Sequence, residues 1–131
     1  MTGFIDVPVD ADSAWWWEAL TAHRLLVPSC SSCGRAFFPP QPTCPHCGSQ
    51  DWTKRECSGR ATAYSWIVIH HALHPAFADD VPYTIVAAEL DEGVRLFARL
   101  RDAAEVSPGE ALEACFYEVE GRTLLGFRPA G

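Results

Sequence analysis

From position 58 onward the chain consists of short segments that are apolar or that alternate between apolar and polar residues. Segment 59–71 is long and rich in β-branched and aromatic residues, and 94–100 places its aliphatic residues on one face. Such patterns favour β-strands. Gly93 ends a predicted tight hairpin turn. The pattern predicts five strands, over 59–71, 83–90, 94–100, 111–119 and 123–127, and their order indicates a five-stranded Greek-key barrel of the OB type.

A short helix precedes this region. Asp12 or Ser13 can cap it, and the pattern predicts that it runs to about His23. Trp15, Trp16 and Trp17 are consecutive, and successive helical residues point about 100° apart, so they cannot share one buried face. Trp16 and Leu20 form the predicted inner stripe. At least one of the other two indoles is then expected to face solvent, the neighbouring cysteine-rich segment or another chain. Packing of all three within this protein and a partner-binding helix both remain open.

Two Cys-x-x-Cys-Gly motifs lie ten residues apart between the helix and the barrel. This arrangement predicts a tetrahedral four-thiolate site with structural zinc as its default metal, although iron accepts the same ligands. Two disulfides are disfavoured because nothing at the N-terminus resembles a secretory signal. His46 lies inside the second motif and is predicted to face solvent, while Cys57 and Cys115 read as ordinary semi-buried thiols. The predicted metal ligands are Cys30, Cys33, Cys44 and Cys47.

These segments divide the chain into three expected parts. Residues 1–25 form an N-terminal part, with an extended arm over 1–10 followed by the helix, 26–57 a rubredoxin-like zinc ribbon, and 58–131 the OB-fold domain. A short strand over 25–29 is predicted to lead into the first cysteine motif. The fold class is therefore mainly β. Phe37 and Phe38 lie between the cysteine motifs. Because a ribbon has almost no core, we expect both rings to pack on the helix or the barrel.

Charge limits the classes of partner. The 131 residues carry a formal net charge of −7, and their ten basic residues are scattered. Nucleic-acid binding depends on clustered Lys and Arg, so the composition favours a protein partner or a small-molecule ligand. No apolar run approaches the roughly 18 residues of a membrane span. We expect a soluble, cytoplasmic protein that binds neither nucleic acid nor membrane.

Several motifs together resemble a known family. They are Trp-Glu-Ala-Leu at 17–20, the two cysteine motifs, Phe-Pro-Pro at 38–40, Ser-Gly-Arg-Ala-Thr at 58–62, and His-Pro-Ala-Phe at 74–77 before Val-Pro-Tyr at 81–83. In this order they resemble the zinc-ribbon/OB-fold proteins known as domain of unknown function 35, which are associated with acyl-CoA. The resemblance covers roughly residues 13–128.

The resemblance implies an accessory subunit that is not an enzyme by itself. Family members form complexes with thiolase-fold enzymes, including thiolases, acyltransferases and the aldolases that shorten CoA-linked steroid side chains, and some accompany hydratases of the MaoC type. In such assemblies the chain would help to form an acyl-CoA site or channel. The residues expected to contact ligand or partner are Trp15, Trp16, Phe38, His71, His74, Phe77 and Tyr83.

The sequence leaves open three functions other than an accessory subunit. One is an enzyme in which His70, His71 and His74 bind a metal ion or transfer protons. Strand alternation places His70 and His71 on opposite faces, however, so these two cannot bind the same ion. A stand-alone acyl-CoA-binding protein is the main alternative. A nucleic-acid-binding OB protein is a weaker one, because aromatics such as Tyr64 and Trp66 have few neighbouring cations.

Overall fold

The computed structural model describes residues 11–72 and 75–130, so the predicted arm over 1–10 and the predicted contact His74 lie outside the described residues. Within the described ranges, one helix and seven strands follow in order, with a single 3₁₀ turn at Pro75–Phe77. They are α1 (Ala14–Thr21), β1 (Leu26–Cys30), β2 (Trp52–Glu56), β3 (Arg60–Ile69), β4 (Tyr83–Leu90), β5 (Arg95–Leu100), β6 (Ala111–Val119) and β7 (Arg122–Pro129). The structure is mostly β, as predicted.

Helix α1 ends two residues earlier than expected. His23 adopts a left-handed conformation with φ of 59°, and the Arg24 N–H donates to the carbonyl of Ala19 at 2.8 Å. This is the hydrogen-bond pattern of a Schellman stop, which satisfies the last helical carbonyls and reverses the chain. Ser13 occupies the N-cap position, but its side chain makes no capping hydrogen bond.

The ribbon contains a two-stranded antiparallel sheet. β1 pairs with β2 over five residue pairs, from Leu26 opposite Glu56 to Cys30 opposite Trp52. The sequence pattern predicted the first strand but not the second, whose polar residues alternate too weakly to show a buried face. The pairing brings the chain back to the barrel immediately after the second cysteine motif.

The remaining five strands form a closed barrel in the order β3-β4-β5-β7-β6. All neighbouring pairs are antiparallel except β5 and β7, which run parallel and are joined through Arg99–Gly126 and Leu100–Phe127. The barrel closes where β3 meets β6 over residues 60–62. This order confirms the predicted Greek-key OB barrel.

One core joins the helix, the ribbon and the barrel. Trp16 and Leu20 of α1 are buried in the same cluster as Val27 of the ribbon and Phe127 of the barrel. The predicted inner stripe of the helix is therefore the face that packs against the rest of the chain. In the part of the chain that the structure describes, no helix has the length and apolar character needed to span a membrane.

Candidate functional site

The two cysteine motifs fold into facing knuckles. The Sγ atoms of Cys30, Cys33, Cys44 and Cys47 all lie within 4.8 Å of one another. Cys30 and Cys47 are 3.6 Å apart, and Cys33 and Cys44 are 3.7 Å apart. A tetrahedron with Zn–S bonds of about 2.3 Å has S···S edges of about 3.8 Å. The four thiols therefore fit a zinc ion without rearrangement.

Backbone geometry prepares the knuckles for metal. The Cys33 N–H donates to the Cys30 sulfur, and the His46 N–H to the Cys44 sulfur, each at 3.4 Å. Gly34 and Gly48 follow the two motifs with φ near +80°, a conformation that a side chain would strain. Hydrogen bonding from the Cys33 N–H lowers the pKa of Cys30 to about 6, while the neighbouring cysteines, Cys30 foremost, raise the pKa of Cys47 to about 11, so a bound metal ion would have to deprotonate Cys47.

Four sulfurs complete a tetrahedral shell and leave no position for water, so the chemistry of this donor set is structural. Cys30 and Cys44 are buried beside Phe37 and Trp52. His46 is exposed, as predicted, and its Nδ1 lies 3.4 Å from Arg35. The group of clustered ligands found among the described residues contains the four cysteines and no histidine.

The expectation for Phe37 was wrong. Its ring packs inside the ribbon, against Cys30 and Cys44, and meets the ring of Trp52 in a T-shaped arrangement, because the knuckles and β2 enclose a small apolar space of their own. Phe38 points the other way and lies 4.7 Å from Trp16, on the helix as expected. The metal knuckles and one phenylalanine thus share a small core of their own.

The two other cysteines lie away from the zinc cluster. Burial raises the pKa of the Cys57 thiol to about 12, and the nearby Glu92 carboxylate adds to the effect. Burial also raises the pKa of Cys115, which is half-buried on β6. Raised pKa values keep both groups as neutral thiols at pH 7, which is the opposite of what a nucleophile needs.

An apolar groove runs between α1 and the barrel and encloses about 290 Å³. This volume is at the lower end of the range for small-molecule sites. We call it the helix–barrel groove. Its lining is almost entirely aromatic and aliphatic, drawn from the helix, the segment between the knuckles, the 3₁₀ turn and four barrel strands. The residues are Trp16, Trp17, Leu20, Phe38, Phe77, Tyr83, Ile85, Leu96, Phe97, Ala98, Arg99, Tyr117, Leu124 and Leu125.

Arg99 supplies the positive charge of this groove. Its guanidinium lies 4.6 Å from the ring of Tyr83 and donates from Nη1 to Asp80 at 2.8 Å. A guanidinium has five N–H donors, so the Asp80 contact leaves others available. Arg101 lies 4.2 Å from the Tyr117 ring at the same side of the barrel. Burial raises the pKa of Tyr117, which keeps its hydroxyl protonated.

The structure brings four of the predicted contact residues together. Trp16, Phe38, Phe77 and Tyr83 all line the helix–barrel groove. Trp15 does not; its ring packs on Trp52 of the ribbon in a tilted arrangement, with the ring centroids 5.8 Å apart. His71 is exposed outside the groove.

Sequence reasoning missed several lining residues, among them Trp17, Ile85, Arg99 and Tyr117. Ile85, Phe97 and Arg99 lie on the outer face of the barrel, where the alternation pattern leads one to expect solvent. The sequence does hold a signal for this outer face: Ile85 and Phe97 make it apolar, which is unusual for a face exposed to solvent.

A second apolar surface follows β3. Tyr64, Trp66, Ile67 and Val68 are large exposed hydrophobic residues on this strand, and Phe97 on β5 is 75% exposed. Residues 61–69 contain no charged side chain. Exposed apolar patches of this kind mark interaction sites more often than they persist in isolated soluble proteins.

Two family models match adjacent parts of the chain. Residues 17–53 match "ChsH2, rubredoxin-like zinc ribbon domain", and residues 54–117 match "ChsH2, C-terminal OB-fold domain". A solved chain in the structure "Ltp2-ChsH2(DUF35) aldolase" is 39% identical, with a TM-score of 0.86 over 96% of this chain and 100% of that chain. The chain belongs to the ChsH2/DUF35 family. Its zinc-ribbon and OB-fold parts are those of the family.

Curated relatives have two kinds of name. A probable enoyl-CoA hydratase alpha subunit from Thermomonospora curvata is 40% identical over 93% of this chain, but this chain spans only 39% of it. A DUF35 domain-containing scaffold protein from Pyrococcus furiosus is 29% identical over 91% of this chain and 84% of its own length. A DUF35-family structure from Sulfolobus solfataricus, 18% identical with a TM-score of 0.67, shares the fold.

Proposed function

We propose that this chain is a non-catalytic zinc-binding subunit that associates with a thiolase-fold enzyme and helps to form its acyl-CoA site or channel. The observation that carries the proposal is the likeness over the whole length of the ChsH2 chain of an Ltp2 aldolase structure. A thiolase-fold aldolase is accordingly the proposed partner, and a MaoC-type hydratase is a second partner class, in line with the hydratase name of the longer Thermomonospora curvata relative.

The chemistry of the described residues supports a non-catalytic role. The four-cysteine cluster offers a zinc ion no open position, and the pKa values of Cys57 and Cys115 are raised. A closed zinc site stabilises a fold, whereas a catalytic one leaves a position for water or substrate. The zinc is therefore assigned to holding the ribbon in place beside α1.

The helix–barrel groove supports the acyl-CoA part of the proposal. Its walls match an apolar acyl group, and Arg99 offers N–H donors to a carbonyl or an anionic group. Since about 290 Å³ is too small for a whole CoA thioester, the partner enzyme would hold the rest of the ligand. The overall charge of −7 supports an assembly with protein rather than with nucleic acid.

The proposal is tested by co-expressing the chain with a thiolase-fold aldolase from the same organism. We expect a stoichiometric complex on size-exclusion chromatography with light scattering, and cleavage of the acyl-CoA substrate only when this chain is present. An enzyme that is fully active alone, or two proteins that elute separately at micromolar concentration, would contradict the subunit role.

Filling the groove tests its part in ligand binding. Leu124→Trp places an indole where the half-buried Leu124 lines the groove, so the acyl group would lose space there. We expect KM for the acyl-CoA to rise about tenfold, which corresponds to a loss of about 1.4 kcal/mol of binding free energy. The complex should remain intact. Glu118→Trp is the matched control, because Glu118 is exposed on β6 and does not line the groove. Equal KM values for the two variants would exclude the groove from the acyl site.

A further inference from the structure

The outer part of β3 has a free edge. Residues 60–62 pair with β6 on one side and residues 61–69 pair with β4 on the other. Ala63 still has partners, because its N–H donates to Glu110 and its carbonyl accepts from Gly109. Among the described residues, 65–69 have backbone partners on the β4 side alone. We call residues 64–69 the β3 edge.

Beyond the bulge between Ala63 and Ser65, this edge lacks the features that normally protect such strands. Natural proteins protect exposed edges with bulges, Lys, Pro, inward charges or a covering loop. The β3 edge reads Tyr-Ser-Trp-Ile-Val-Ile, with no charge and no proline. Tyr64 is 56% and Ile67 60% exposed, and Trp66 and Val68 are exposed as well. An apolar strand with unpaired backbone groups is a template for another strand.

We propose that the β3 edge binds a β-strand of the partner enzyme, which extends the barrel sheet by one strand. This inference rests on the proposed function and names the surface through which the partner enzyme would bind. Backbone N–H and C=O groups at a sheet edge recognise an extended segment, while the neighbouring side chains select apolar residues in it. The occupant is therefore an uncharged, apolar strand.

Net charge favours a foreign strand over a second copy of this chain. The charged groups beside the edge are mixed: Glu105 and Arg99 line the same cavity as Val68. The Arg95 guanidinium lies 3.6 Å over the Tyr64 ring. Two copies paired through β3 would bring two net charges of −7 together. A partner strand without a net negative charge avoids this repulsion.

The β3 edge is also continuous with the helix–barrel groove. Ile67 lies opposite Ile85 on β4, and Ile85 lines the groove. Ser65 lies opposite Ala87, which in turn lies opposite the exposed Phe97 of the groove rim. A strand added at β3 therefore brings the partner next to the proposed acyl site.

Ile67→Lys tests the inference in the full, zinc-loaded chain. A lysine on a solvent-exposed edge position leaves the fold unchanged but places a charge where the partner strand would pack. We expect the Kd for the thiolase-fold aldolase to rise by about 30-fold or more. Thr62→Lys is the matched control, because Thr62 is exposed on the same strand but paired on both sides, with Glu89 and Ala111. Its Kd should stay within about threefold of the unchanged chain.

Hydrogen exchange adds a readout of the backbone itself. The amides of 65–69 that point away from β4 should exchange more slowly in the complex, because a new strand would bond them, whereas those that already bond β4 should change less. A complex that forms with unaltered exchange at 65–69, or that tolerates Ile67→Lys, would overturn the strand-addition surface and leave the proposed function standing. Concentration-dependent self-association abolished by Ile67→Lys would overturn it in favour of a second copy. Absence of any complex with the unchanged chain would instead overturn the proposed function, and this surface with it.

Discussion

Cys44→Ser is expected to abolish zinc binding and unfold the ribbon. Cys44 is 2% exposed, and its sulfur lies 3.7 Å from that of Cys33, so its loss removes one of four ligands from a closed site. A serine hydroxyl stays protonated near pH 7 and is a poor substitute for a thiolate. Structural zinc provides about 10–16 kcal/mol of apparent binding free energy in small zinc domains, and most of it is folding free energy.

Zinc content by mass spectrometry of the metal, together with thermal unfolding, measures this effect. We expect the variant to lose stoichiometric zinc and its cooperative transition in the ribbon. Cys57→Ser is the control, because Cys57 is also buried but lies outside the cysteine cluster. It should keep its zinc. A Cys44→Ser protein with unchanged zinc and melting temperature would contradict the assignment of this cluster.

Unfolding of the ribbon would also disturb the helix–barrel groove, because the ribbon packs against one of its walls. Trp15 of α1 packs on Trp52 of β2, and Phe38 packs on Trp16. The knuckles therefore position the helix that forms one wall of the groove. In the proposed function, zinc acts on ligand binding through this packing and never through contact with the acyl group.

The cysteine site and the barrel strands could be predicted because their signals are local. The cysteine spacing places four sulfurs by the geometry of two short turns, with Gly34 and Gly48 providing the positive φ values. The alternation over 94–100 predicts the inner face of β5 directly, and the structure buries its aliphatic residues Val94, Leu96, Ala98 and Leu100. Period-two patterns survive in the fold because one strand face meets the core.

The groove could be predicted only in part because its walls come from distant segments. Phe38 and Tyr83 meet there through the packing of α1 on the barrel, which no local pattern encodes. The second ribbon strand was missed for a related reason: β2 is mostly exposed, and pairing with β1 rather than its own pattern makes it a strand. The free edge of β3 likewise depends on where β6 stops pairing, since β6 reaches only residues 60–62.

Closure of the barrel depends on a short parallel contact, and one side chain fills the space behind it. β5 and β7 are joined through two residue pairs, and Leu100–Phe127 is one of them. Phe127 is fully buried, lies opposite Ala114 of β6, and its carbonyl accepts from the Arg101 N–H at 2.7 Å. Its ring thus packs in the core where β5, β6 and β7 meet.

Phe127→Ala is therefore expected to lower the free energy of unfolding by about 3–5 kcal/mol, the range for deleting a buried phenylalanine ring. That loss is a large fraction of the roughly 5–15 kcal/mol of a typical domain. Urea unfolding with zinc in excess measures it, and Phe97→Ala on β5 is the matched control. Because Phe97 is 75% exposed, its loss should change stability by less than about 0.5 kcal/mol. Equal losses for the two variants would mean that the ring of Phe127 does not hold the β5–β7 contact together. A large loss for Phe127→Ala alone would show that this ring supports the shortest pairing of the barrel, in which Arg99 of the helix–barrel groove also takes part.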